Sequence, residues 1–142
     1  MTIERHAAEA ATRFRRALET SSEETRLIGL REFPHGACLD ASLLLAEYLE
    51  DCGLGTWECV AGERPFRPAL PQSHAWLEQD GLILDITADQ FDDAPRQAVW
   101  VTRDPSWHQQ FGDPEPRARL WRPQDEELLD AYDELRAIAD GR

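Results

Sequence analysis

The dipeptide Asp80-Gly81, set between the runs Ser73 to Gln79 and Leu82 to Thr87, constrains this chain more than any other feature. Asp-Gly suits the positive φ angles of a two-residue hairpin turn, whose twist matches that of the strands it joins. With these two as turn residues, Gln79 pairs with Leu82, Trp76 with Asp85 and His74 with Thr87. Side chains alternate along a strand, so this register gathers Ala75, Leu77, Leu82, Leu84 and Ile86 on one face. The other face holds His74, Trp76 and Asp85, with His74 and Asp85 as diagonal neighbours within reach of each other. Packing alone does not produce such an asymmetry.

The rest of the chain supplies helices and further strands. Ile3, Ala7, Ala11, Phe14 and Leu18 recur at helical spacing, which predicts an amphipathic helix over 3–19. Ser21 and Glu24 have the spacing of a capping box and predict a short second helix through about Leu30. Phe33-Pro34-His35-Gly36 breaks the pattern. From Cys38 to Asp51 apolar residues cover much of the helical circumference, as in a central buried helix, and Gly53 is placed to end it in a left-handed cap. Trp57 to Val60 and Ala98 to Thr102 read as strands. Residues 62–71, with three prolines and a glycine, read as a surface loop, and Asp104 to Pro123 as irregular. A final helix spans 123–140, with Leu128, Tyr132, Leu135 and Ala139 on one face. This order predicts one α+β domain over 1–142, its antiparallel sheet packed against a central Cys-bearing helix.

Cys38 opens that helix two residues after Gly36, where amide donors and the positive end of the helix dipole favour a thiolate. A thiol activated by a histidine, itself oriented by a carboxylate, is the arrangement acyl transfer through a thioester requires. The backbone N–H of Cys38 could supply one oxyanion donor, and His35 or Gln90 another. Each residue also has a bland reading: a core thiol, a strand histidine bonded to backbone, a satisfied strand-end carboxylate. Helix–strand–strand order and matching strand parity favour the site. Cys52 and Cys59 read as structural. The cysteine spacings of 14 and 7 positions match no paired zinc knuckle, so no metal is expected. Phe91 reads as an anchor after the second hairpin strand, and His108, beside Trp107, as loop packing or a substrate contact.

The segments His35-Gly36-Ala37-Cys38-Leu39-Asp40-Ala41-Ser42, Ser73-His74-Ala75-Trp76-Leu77-Glu78 and Asp85-Ile86-Thr87-Ala88-Asp89-Gln90-Phe91 resemble bacterial transglutaminase-like cysteine enzymes of the papain-like superfamily. Those enzymes carry Cys on a helix, His on a strand and Asp on the next strand. The resemblance covers residues 33–91, the expected catalytic core. It implies a papain/transglutaminase-like fold with Cys38 as nucleophile, His74 as base and Asp85 as orienting acid. It further implies no cofactor and a protein or peptide substrate, for a peptidase, transglutaminase or glutamine deamidase. The short interval from Cys38 to His74 leaves few residues to shape a long cleft, which turns the expectation toward a glutamine side-chain amide. The competing expectation is a catalytically silent member of the fold that binds a partner through its acidic surface.

Composition narrows the partners. A net charge of −13 repels phosphate backbones, so no nucleic acid partner is expected, and a basic substrate is favoured. No apolar run approaches the ~20 residues that cross a bilayer, so no membrane partner is expected. The amphipathic start lacks the apolar core of a signal peptide. Three cysteines cannot all pair with one another, which fits a reducing, cytoplasmic compartment.

Overall fold

Small apolar side chains give the first helix its closeness to the protein body. In the computed structural model, which describes residues 2–21, 30, 33–34, 36–121 and 124–141, α1 (Ile3–Thr20) buries Ala7, Ala10, Ala11, Phe14, Ala17 and Leu18 as one stripe. Thr2 caps it by accepting the Arg5 N–H. The expected short helix after Ser21 falls almost wholly outside the described residues. α2 (Cys38–Asp51) is buried from Ala41 to Ala46 and again at Tyr48 and Leu49, as the apolar circumference predicts. Leu44, Leu45 and Leu49 are fully buried, each contributing about 1.5–3 kcal/mol by leaving water. Gly53, at φ 76°, ends this helix. The Leu54 N–H bonds back to the Leu49 carbonyl at 2.9 Å, as in a Schellman cap.

Five antiparallel strands follow: β1 (Glu58–Arg67), β2 (Leu70–Gln79), β3 (Leu82–Asp85), β4 (Trp100–Thr102) and β5 (Glu115–Arg117), in the spatial order β4-β3-β2-β1-β5. The last helix is α3 (Glu126–Ala139). Gln79 faces Leu82, Glu78 faces Ile83 and Leu77 faces Leu84, the register expected from the turn. Asp80 and Gly81 both have positive φ, 49° and 81°.

Two expectations are corrected. Residues 62–71 are not a loop: β1 and β2 run through them as a long hairpin turning at residues 68–69. Among the described residues β1 has no strand partner on its outer side beyond Ala61, and β2 pairs with β3 only from Leu77 onward. Pro65 and Pro71 therefore stand on free edges, where a missing N–H costs no ladder bond. Likewise the stretch 104–123 is not wholly irregular, since it contains a 3-10 turn at His108–Phe111 and the edge strand β5.

The sheet divides two hydrophobic layers. On one face Cys59, Ala75, Leu77, Leu82 and Leu84 pack with the buried residues of α1, α2 and α3. On the other, Val60, Trp76 and Ile83 pack with Ala88, Phe91, Ala94 and Phe111. The face carrying the polar residues is thus covered by the chain after β3. Arg15 holds that cover to α1. Buried in the protein, its guanidinium donates to the Ile86 carbonyl (2.6 Å), the Ala98 carbonyl (3.0 Å) and both Asp89 carboxylate oxygens (2.9 Å each). Among the described residues, no helix is long and apolar enough to cross a membrane.

Candidate active site

Cys38 is the first residue of α2, with its preceding residue Ala37 in a non-helical conformation and no side-chain cap over the helix start. One turn later Ser42 donates to the Ala75 carbonyl at 3.4 Å, tying the helix start to the strand segment that carries His74. The thiol and the imidazole consequently line the same cavity of about 310 Å³. Cys38 is half-buried, whereas His74 and Asp85 are each 1% exposed.

His74 Nε2 lies 2.7 Å from Asp85 Oδ2. The other Asp85 oxygen accepts the Thr87 N–H at 3.0 Å, which fixes the carboxylate plane. Burial alone would lower the His74 pKa. The Asp85 charge and hydrogen bond, with a smaller contribution from Cys38, overcome burial and push it up to about 9. Burial opposes ionisation of Asp85 as well, yet the two histidines beside it hold its carboxyl well below the ordinary range. An ionised carboxylate only accepts, so Nε2 carries a proton, and the raised pKa favours a second proton on the ring. Its Nδ1 is buried with no hydrogen-bond partner among the described residues. It is the ring nitrogen that Asp85 leaves unengaged.

A third side chain completes the site. His108 is buried at 2% exposure, and its Nε2 also lies 2.7 Å from Asp85 Oδ2. It packs among Trp76, Trp100 and Trp107, as a loop-packing residue would, and it is also a second donor to the same carboxylate oxygen. Gly62 explains how it arrives. Gly62 lies opposite His74 in the β1–β2 ladder, and a Cβ there would stand 2.3 Å from the Phe111 carbonyl oxygen. Only a glycine lets the His108–Phe111 turn settle onto the sheet at this level. Rings enclose the imidazole of His74: Phe91 edge-on at 5.0 Å between centroids, Phe111 at 5.4 Å, Trp76 at 5.6 Å and Trp107 at 5.7 Å. Phe91 is thus the anchor its position suggests, and the rings exclude water from the His74–Asp85 bond.

The other candidates fall elsewhere. Gln90 donates its amide to the Thr87 carbonyl (2.9 Å) and accepts the Gly36 N–H (3.3 Å). It tethers the loop before Cys38 to the loop after Asp85, with one of its two amide N–H groups engaged. His35 lies outside the described residues. Cys52 is exposed at the far end of α2, and Cys59 is buried with its thiol pushed up to about 12, first by burial and then by the neighbouring Cys38. All three cysteines are free.

Among the described residues, one group has metal-ligand chemistry: His74, Asp85 and His108, whose donor atoms lie within 4.8 Å of one another. Both Nε2 atoms already share the Asp85 oxygen through protons. An ion there would have to replace those protons, in a place closed by the surrounding rings. The trio therefore fits a proton-bearing network better than a metal centre. Compared with known proteins, the chain matches no protein-family model, no curated protein and no solved structure.

Proposed function

We propose that the protein is a thiol-dependent amide hydrolase or acyl transferase of the transglutaminase-like, papain-like kind. The observation that carries this reading is the division of labour on one imidazole. Nε2 is held by a buried carboxylate, while Nδ1 is buried, unpartnered and beside a helix-start thiol in a cavity.

The chemistry follows from that arrangement. The Cys38 sulfur attacks the amide carbonyl, and the backbone N–H of Cys38 faces the oxygen on which charge develops. His74 Nδ1–H gives its proton to the departing nitrogen as the C–N bond breaks and the thioester remains. His74 then takes a proton from water or an amine as that nucleophile attacks the thioester, and the thiolate leaves. Asp85 keeps the ring oriented and stabilises its charged form throughout. A side-chain amide, such as that of glutamine, suits a cavity of this size better than an extended peptide, which favours deamidation or transamidation over proteolysis.

The test is the rate of iodoacetamide labelling at each cysteine across pH, in the presence of a chelator, for wild type and His74→Ala. We expect Cys38 to label fast at pH values where Cys52 is slow, and that advantage to vanish in the variant once circular dichroism has verified its fold. Slow labelling of Cys38 that ignores the mutation would replace this reading with a catalytically silent fold that binds a partner.

A further inference from the structure

The cavity over Cys38 has a charged mouth. Glu63, Asp113, Glu115 and Arg117 line it together with Cys38 and His74. The three carboxylates come from separate places in the chain. Glu63 lies in β1 opposite Ser73, next to His74; Glu115 lies in β5 opposite Ala61; Asp113 precedes β5. All three are exposed, and no ion pair with a described residue neutralises any of them.

An acidic surface is expected of a chain with this net charge, so the distribution matters more than the count. Elsewhere several arginines pair with carboxylates: Arg15 with Asp89, Arg64 with Asp93, Arg103 with Glu4, Arg119 with Glu47 and Glu50. Around this one opening three carboxylates stand beside a single guanidinium, and none of the three forms an ion pair with a described residue. Below them His74 lines the same cavity, its buried Nδ1 without a hydrogen-bond partner among the described residues. The cavity thus presents a proton donor at its floor and excess negative charge at its rim.

We infer that this mouth selects a positive charge on the acyl-donor substrate, so that the amide attacked is carried by a peptide with a basic side chain beside it. The carbonyl and its nitrogen reach Cys38 and His74, and the basic group stays at the rim against Glu63, Asp113 and Glu115. The inference rests on Cys38 being the nucleophile. Clefts lined by one sign of charge raise the local concentration and arrival rate of the opposite sign by roughly ten- to a thousandfold.

The experiment compares two thiol reagents that differ only in charge, trimethylammonioethyl and sulfonatoethyl methanethiosulfonate. Each forms a mixed disulfide with the thiolate and releases methanesulfinate. Exposed Cys52 serves as the internal reference, because both sites feel the same overall charge of −13. At low ionic strength the cation-to-anion rate ratio at Cys38 is expected to exceed that at Cys52 by roughly tenfold or more. That excess should shrink as salt screens the rim and disappear in the triple variant Glu63→Gln, Asp113→Asn, Glu115→Gln. A Gln-Arg dipeptide should also protect Cys38 from iodoacetamide at lower concentration than Gln-Glu. Equal ratios at the two cysteines, an excess that survives in the triple variant, or equal protection by the two dipeptides would overturn the inference. Uncharged iodoacetamide with His74→Ala tests the nucleophile separately, so either reading can fail without the other.

Discussion

Replacing Asp85 with asparagine removes one charge and almost no volume from the centre of the site, and its consequences can be worked through. The carboxylate accepts from three donors: His74 and His108 on Oδ2, Thr87 on Oδ1. An amide has one acceptor oxygen. If it faces the histidines, its NH₂ meets the Thr87 N–H donor to donor; if it faces Thr87, the clash moves to both imidazoles. A buried mismatch of this kind costs about 1–3 kcal/mol. The effect on His74 is larger. Its pKa of about 9 against an ordinary 6.5 represents on the order of 3 kcal/mol in favour of the imidazolium, at about 1.4 kcal/mol per pH unit. With Asp85 neutralised, burial dominates and takes the pKa below 6.5. A histidine whose folded pKa is raised adds stability that is complete below about pH 6.5 and fades as pH rises through about 9. That alkaline fade should be present in wild type and absent in Asp85→Asn. Ring-proton NMR titration from pH 5 to 10 reads the pKa directly, and only four histidines need assignment. Urea denaturation across the same range reads the linkage. A wild-type His74 that titrates near 6.5, or one that titrates identically in Asp85→Asn, would refute the argument.

Two further outcomes follow from neighbouring contacts. His108→Phe keeps a ring in the aromatic layer but strips one donor from Asp85. It should cost about 1–3 kcal/mol in urea denaturation and raise the Asp85 pKa, so that stability is lost on acidification at a higher pH than in wild type, whereas His108→Gln, which keeps an N–H, should recover part of both. Arg15→Met leaves the Asp89 carboxylate and the Ile86 and Ala98 carbonyls without their shared donor, for which a loss of about 3–5 kcal/mol is expected; a loss below about 1 kcal/mol would mean that Arg15 does not hold the cover to α1.

What was legible in the sequence was local. The Asp80-Gly81 turn and the period-two pattern beside it set the register of β2 and β3, and with it the shared face of His74 and Asp85. The apolar circumference from Cys38 to Asp51 located α2 with both its ends. The prolines at 65 and 71 misled, because whether a strand edge is free depends on where its neighbours stop, which no short window contains. His108 was visible as a residue but not as a partner of Asp85. Its position depends on Gly62, 46 positions earlier in the chain, leaving room for the Phe111 backbone. The carboxylates at the cavity mouth are brought together in the same non-local way, by the pairing of β1 with β5.

The cover over the second face also sets an order of construction. Cys38, His74 and Asp85 have all been synthesised by residue 85, but the residues that shut Asp85 away from water, Phe91, Trp107, His108 and Phe111, are added afterwards. A chain ended before residue 107 would lack Trp107, His108 and Phe111, and with them part of the layer that buries Asp85 and one of its two imidazole partners. The dry environment of the carboxylate thus belongs to the finished domain and not to the hairpin that carries it.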